Sequence, residues 1–234
     1  MQKTPLLEDA PKIWVSESKI SLVEELVTKY HYLGEKPFRS GVAFVLEYNG
    51  LIQGGLVWHC ISAPETMVGA FGLDRDNQVG FFELGRLVVS PKLNHKNITG
   101  FFLAHSIKIL RKKANVRALL TYADSTKHTG TVYQACNFKY YGLTNKKNDF
   151  YVDGKIQERG ATKGIDGEWK PRPQKHRYLL VFDKTLKVLW KQERYPKSKC
   201  ADDVSKSISS IQDESSGVIP TSAHHTYLLQ GGTP

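Results

Sequence analysis

Cysteine is scarce in this chain. Its three thiols, Cys60, Cys136 and Cys200, lie far apart and show no metal-ligand spacing. That excludes a disulfide-stapled scaffold and a compact zinc motif, and it suits a reducing cytoplasm. Long apolar runs are missing too. None approaches the roughly 20 residues that a membrane-spanning helix needs. The N-terminal MQKTPLLEDAPK has Lys3 but no apolar stretch behind it, so no signal peptide is expected. No internal repeat is found. Acidic residues are in deficit: Asp and Glu number 23 against 33 Lys and Arg, a net charge of +10 in 234 residues. From Pro196 onward three lysines face four acids, so the excess sits in the body of the chain. Such an excess favours a polyanionic partner, nucleic acid first, through counterion release at phosphates. A hydrophobic share of 40% is ordinary for a globular protein, and the length suits one well-buried domain plus a tail.

Periodicity sets out the elements. Glu17 to Tyr30 predicts an amphipathic helix, with Ile20, Val23, Val27 and Tyr30 on one stripe and Ser16 placed to cap it. Gly41 to Tyr48 and Leu51 to Cys60 are β-rich runs joined by Asn49-Gly50, a strong hairpin signal. A loop with Pro64 follows. Phe81 to Val89 is a strand stopped at Ser90-Pro91. Ile98 to Lys113 is a helix whose cationic end, Arg111-Lys112-Lys113, suits the helix dipole. Val116 to Ala123 and Arg177 to Phe182 are strands, with a short helix, Thr131 to Cys136, between them. Strand 81–89, helix 98–113 and strand 116–123 form one βαβ unit. Gly154 to Gln174 reads as a long basic loop. From about Lys197 the chain turns Ser-, Gly- and Thr-rich, and it is expected to be disordered.

Several residues are placed for chemistry. The run LLTYADSTKHTGTVYQACNFKYYG, Leu119 to Gly142, presents Asp124, His128 and Tyr133 where a strand opens into a loop, the position at which α/β folds place ligands. The turn Pro91 to Gly100 leads into a helix N-terminus, whose free N–H groups and dipole would bind phosphate beside Lys92 and Lys96. Glu83 and Arg86 interrupt an apolar strand, and period-two alternation points them to opposite faces. A charge in a buried strand must be paired or must face a ligand. Tyr30-His31-Tyr32 closes the first helix, where a lone histidine is most often a dipole-stabilising cap.

Taken in order, these pieces resemble a known family. They are His31-Tyr32; Glu83-Leu84-x-Arg86-Leu87; Tyr122-Ala123-Asp124; His128-x-Gly130-Thr131-Val132-Tyr133-Gln134-Ala135-x-Asn137-Phe138; Lys175-His176-Arg177-Tyr178; and Tyr195-Pro196-Lys197. The chain is similar to the Mom family of bacteriophage DNA-modification proteins, with Phe138 where that family commonly has Trp. An antiparallel hairpin followed by a βαβ unit also resembles the GNAT acyltransferases.

The resemblance implies an α/β fold: a single GNAT-like domain over residues 16–196, with a central mixed, mostly antiparallel sheet flanked by helices. Residues 1–15 would be an extension and 197–234 a tail. It implies a transferase in the host cytoplasm that converts adenine in double-stranded DNA to N6-carbamoylmethyl adenine and so blocks host restriction. Catalysis would fall to His31, Tyr32, Asp124 and Tyr133. A donor, acetyl-CoA or another small molecule, would be held by Arg86, Lys96, Asn97 and Thr99. The product joins N6 to a methylene carbon beside a carboxamide, a bond that plain acetyl transfer does not make. The donor is then either of another kind, for instance glycine-derived, or activated by a redox metal. His31, Tyr32 and Asp124 are an iron-compatible ligand set.

Reaching N6 requires base flipping. Tyr30, Tyr32, Phe138, Tyr140 and Tyr141 are candidate stacking partners, and Lys127, Lys139, Lys146, Lys147, Lys175 and Arg177 candidate phosphate contacts. A conventional N-acetyltransferase and a noncatalytic DNA-binding module are the competing readings.

Overall fold

The structure, a computed structural model, describes residues 11–34, 38–157, 162 and 164–197. In chain order its first elements are β1 (Ile13–Ser18), α1 (Ile20–Tyr30), β2 (Val42–Tyr48), β3 (Leu51–Cys60), α2 (Pro64–Phe71), β4 (Phe81–Val89) and α3 (Ile98–Lys113). β5 (Ala118–Asp124), α4 (Thr131–Ala135), β6 (Lys139–Leu143), β7 (Lys147–Val152), β8 (Lys155–Ile156), β9 (Glu168–Arg172) and β10 (Lys175–Val181) follow. Asn49 and Gly50 take φ of 50° and 80°, the left-handed pair that a tight two-residue hairpin requires. The hairpin they close, β2–β3, sits inside a seven-stranded sheet of order β1-β2-β3-β4-β5-β10-β6. Every neighbouring pair is antiparallel except β4–β5. The mixed, mostly antiparallel α/β layout expected from the sequence is therefore the one observed.

Alternation along β2 and β3 sorts side chains onto two faces. Ala43, Val45 and Val57 meet Val23 and Val27 of α1, one helical turn apart. Phe44, Leu46, Leu56 and Trp58 meet Phe102, Leu103 and Leu110 of α3 on the opposite face. Met67, Ala70 and Phe71 of α2 bury Phe81, Leu120 and Leu179. Trp58 is fully buried, and its indole N–H donates to the Ser106 hydroxyl at 3.2 Å, which in turn donates to the Leu103 carbonyl at 2.8 Å. The core thus keeps its one buried indole satisfied along a short relay.

Two features of β4 make room for a site. Its parallel ladder with β5 covers only Phe81–Ala118, Phe82–Leu119 and Glu83–Leu120, after which the two strands part. On its other edge the register with β3 slips, with Val57 opposite Arg86 but Trp58 opposite Leu84. Gly85 is the extra residue of a β-bulge. The bulge overturns the expected opposition of Glu83 and Arg86. Glu83 pairs with His59 and Arg86 with Val57, two residues of one face, so both charges point to the same side of the sheet.

Other expectations change as well. Ser16 lies in β1 rather than capping α1, whose N-cap is Lys19 with no side-chain bond. Pro64 opens a helix instead of a loop, at a helical position where its missing N–H costs nothing. The stretch 154–174 is not a plain loop. It carries β8 and β9, which pair with β7 as a separate three-stranded sheet. There Arg172 grips Asp149, and Phe150 packs at 5.1 Å on Trp169. The tail expected to be disordered lies, apart from Lys197, outside the described residues. No helix among the described residues is long and apolar enough to cross a membrane.

A Cβ on Gly85 would come within 2.5 Å of the His59 ring, which is itself held by a 2.7 Å bond from Nδ1 to the Cys60 carbonyl. Gly85→Ala is therefore expected to destabilise the fold by about 1–3 kcal/mol, as overpacking does, with a lower denaturant midpoint. An unchanged midpoint would show that the bulge tolerates a side chain.

Candidate functional site

Where β4 and β5 part, a cavity of about 570 Å³ opens. One wall is β4 from Glu83 to Val89; another is the end of β5, with Tyr122 and Asp124. His31 and Tyr32 come from the end of α1, Thr99 from the first turn of α3, Val132 and Tyr133 from α4, and Lys175 from the start of β10. His31, Tyr32, Arg86, Thr99, Asp124, Tyr133 and Lys175, scattered over 145 positions of sequence, are thus assembled in one place. His59, Glu83, Tyr122 and His128 join them.

Burial and neighbouring groups shift the protonation equilibria of His31, Tyr32, Arg86, Asp124 and Tyr133. His31 follows the last turn of α1, where its N–H bonds Val27 O at 2.9 Å. Burial, with Arg86 and His128 adding to it, brings its pKa down to about 4. The Leu33 N–H donates to His31 Nδ1 at 3.1 Å, so the neutral ring carries its proton on Nε2. The ring stacks on Tyr32 at 4.4 Å. Tyr32, although 53% exposed, is held above the usual phenol value by partial burial and by the charge of Asp124.

Burial pushes Asp124 upward, but bonds from the Thr126 hydroxyl and N–H outweigh it, with Lys175 and Lys127 adding to them, and the carboxyl ends below its ordinary value. Both Thr126 bonds, at 2.7 and 2.9 Å, fall on Oδ1. Oδ2 is the oxygen left to accept from a ligand. Tyr133 is 7% exposed and flanked by Phe138 and Tyr178. Burial raises its pKa, the Thr121 hydroxyl opposing. Arg86 is pulled down from the usual guanidinium value by burial, with Tyr32 opposing. It donates to Gly85 O at 2.8 Å and lies over the Phe38 ring at 5.2 Å.

A second cavity, about 800 Å³, lies against the N-terminus of α3 and shares Thr99 and Val132 with the first. Asn97 lines it in a left-handed conformation (φ 63°) ahead of a first turn with no acidic residue, and a Cβ on Gly100 would meet nothing within 4 Å. Such an end, open and unopposed by negative charge, accepts an anionic group. Lys96 is exposed and lines neither cavity.

The iron-compatible set does not fit. Coordination through His31 Nε2 needs the proton on Nδ1, where the Leu33 N–H already points. No group of three or more His, Cys, Asp or Glu suited to a metal occurs among the described residues.

The remaining candidates separate. Lys127 follows Asp124 and is exposed, as are Lys139 at the start of β6, Lys146 just before β7 and Lys147 at its first position. Arg177 is half-buried and lines a separate cavity. Phe138, Tyr140 and Tyr141, considered for base stacking, are 0–7% exposed and belong to the core. Tyr30 and Tyr32 remain at the cavity. His59 was missed because it ends an apolar run and reads as strand; its only sequence signal is a polar residue at an inward-facing position.

His31 gives a pH test. Its folded pKa of about 4 lies below the ordinary histidine value of 6.5, so the unfolded chain takes up the proton first. Stability present above about 6.5 then declines as pH falls toward about 4. Unfolding midpoints measured across that window should fall less in His31→Gln than in the wild type. Parallel slopes would mean that His31 titrates normally.

Comparison with known proteins bears on this whole unit. No curated protein matches the chain. Among solved structures it is similar to an IAA acetyltransferase from Bacillus cereus, at 12% identity over 73% of this chain and 100% of that one, with a TM-score of 0.45. It is similar also to the Bacillus subtilis acetyltransferase in complex with CoA, at 14% identity over 74% and 99%, TM-score 0.44. A third is a GNAT family acetyltransferase from Elizabethkingia anophelis with acetyl-CoA bound, at 14% identity over 73% and 98%, TM-score 0.43. At these identities and scores the likeness carries nothing about chemistry. The Mom family model matches residues 12–197, a span that contains every cavity-lining side chain described above, and the chain accordingly belongs to the Mom protein family.

Proposed function

We propose that this chain is a transferase that modifies N6 of adenine in double-stranded DNA, giving N6-carbamoylmethyl adenine and so protecting the DNA from restriction. The observation that carries this reading is one cavity holding an ionised carboxylate, a neutral imidazole and two protonated phenols within reach of a common ligand. Membership of the Mom family supports the same reading.

The chemistry follows from those states. The N6 lone pair of adenine is delocalised into the ring, so N6 is a weak nucleophile. Asp124 Oδ2, ionised at neutral pH, accepts a hydrogen bond from the N6 amine and takes up its proton as the N–C bond forms. His31 Nε2–H donates to a ring nitrogen or to the carboxamide oxygen, which fixes orientation. Tyr133, kept protonated by burial, supplies a proton to the departing group. The donor this product needs already carries the carboxamide and bears its leaving group on the methylene carbon. The N6–C bond forms as the bond from that carbon to the leaving group breaks, and the leaving group takes the Tyr133 proton. A phosphate-bearing donor of that kind would have its phosphates at the N-terminus of α3 beside Asn97 and Thr99, with Arg86 at the reacting end. Lys127 and Lys175 border Asp124 and would meet the DNA backbone, while Lys139, Lys146 and Lys147 extend the cationic surface. The adenine must leave the stack, at a cost of a few kcal/mol, and Tyr32, exposed at the rim, is the side chain suited to stack on it.

Ordinary acetyl transfer to an amine is the second reading, favoured by the open helix end that adjoins the cavity. The two readings part in the product. Nucleosides from DNA of cells expressing the wild-type protein should contain a heavier adenine carrying a carbamoylmethyl group, read by mass spectrometry. Asp124→Asn and Tyr133→Phe should lower its yield by about 10²–10⁴-fold, the usual loss of an acid or base. Unmodified adenine alone, from cells holding abundant soluble protein, would favour the acetyltransferase.

A further inference from the structure

Across the ring of Tyr122 from the main cavity lies another, of about 490 Å³, which the mechanism above does not use. Tyr122 borders both. We propose that this cavity is a phosphate pocket, holding a backbone phosphodiester next to the adenine seated in the main cavity; the proposal rests on the DNA-modification reading.

The donor set is that of an anion site. Arg177 and Lys147 supply two cations. The one carboxylate of the lining, Glu65, is engaged by Arg75 at 3.0 Å. The Thr144 hydroxyl accepts the Lys175 N–H at 2.9 Å, which leaves its own proton to donate. Arg177 is also held in place before any ligand arrives. Its guanidinium lies 4.2 Å over the Trp190 ring and donates to the Tyr141 carbonyl at 2.9 Å. Its Nε–H is buried with no acceptor among the described residues. A guanidinium so placed meets phosphate through the η N–H groups that Tyr141 does not use, with little further loss of freedom.

The location fits a nucleotide as well as the chemistry does. Tyr122 stands in β5 two residues before Asp124, and Lys175 is the ladder partner of Asp124 while Arg177 is that of Tyr122. Two rungs of one strand pair therefore carry the catalytic carboxylate and the phosphate-facing cation. Burial, with the charge of Glu83 adding to it, pushes Tyr122 up to about 12, so the partition between the two cavities is neutral and presents no charge against a passing phosphodiester.

The test is binding of the full-length protein to a short duplex holding one mispaired adenine, which eases flipping, over a series of salt concentrations. Arg177→Met and Lys147→Ala should each weaken binding by roughly tenfold at low salt. Because both cations grip one phosphate, the double variant should lose only about 0.9 from the slope of log affinity against log salt. A loss near twice that would mark two independent surface contacts and overturn the pocket, as would an unchanged slope. Should Arg177→Met not fold, Lys147→Ala combined with Thr144→Val must bind more weakly than Lys147→Ala alone; equal affinity overturns the proposal. Wild-type protein that does not bind the duplex would sink the DNA reading and the pocket together. Wild-type binding that these variants leave untouched would sink the pocket alone.

Discussion

The site depends on one constraint, the brief pairing of β4 with β5. Three parallel rungs hold the strands together at Phe81 to Glu83, and then they part. Backbone groups beyond that point lose their ladder partners on one side, a cost that a sheet interior seldom bears. The gap becomes useful because three other elements reach it: the end of α1, the start of α3 and the start of α4. The bulge at Gly85 adds a second displacement, turning Arg86 onto the face that Glu83 already occupies. Without it, alternation would aim Arg86 toward the α3 side of the core, away from His31.

Desolvation then sets the chemistry. The same burial acts in opposite senses on groups of opposite charge type. It keeps the His31 ring neutral and the Tyr133 hydroxyl protonated, while Asp124 stays ionised because Thr126 and two lysines outweigh the effect. A hydrogen-bond acceptor and several donors therefore stand in one cavity near neutral pH. The arrangement suits a reaction in which one proton leaves the nucleophile and another meets the departing group. The tautomer imposed on His31 by the Leu33 N–H points the same way, toward donation rather than metal coordination.

Much of the architecture was legible because its signals are local. Asn49-Gly50 marked a hairpin, Ser90-Pro91 ended a strand, and the apolar spacing of Ile98 to Lys113 marked a helix. The elements that escaped are those whose stability is not local. β1 holds as an edge strand through its register with β2, and α2 is an eight-residue helix held by Met67, Ala70 and Phe71 against the sheet. β8 and β9 sit in a segment so rich in Gly, Pro and charge that only pairing with β7 fixes it.

The sequence alone determined which chemical groups are available and their order along the chain: the histidine and tyrosine after the first helix, the carboxylate at a strand end, the tyrosine of the short helix. Those follow from residue identity and from periodicity, which are properties of neighbouring residues. Only the tertiary structure decided that they share one cavity, that Glu83 and Arg86 face the same way, and that Tyr140 and Tyr141 belong to the core. Each of those outcomes turns on register and burial. Both are set by contacts between residues far apart in the chain, and a slip of one residue in β4 was enough to reverse a face.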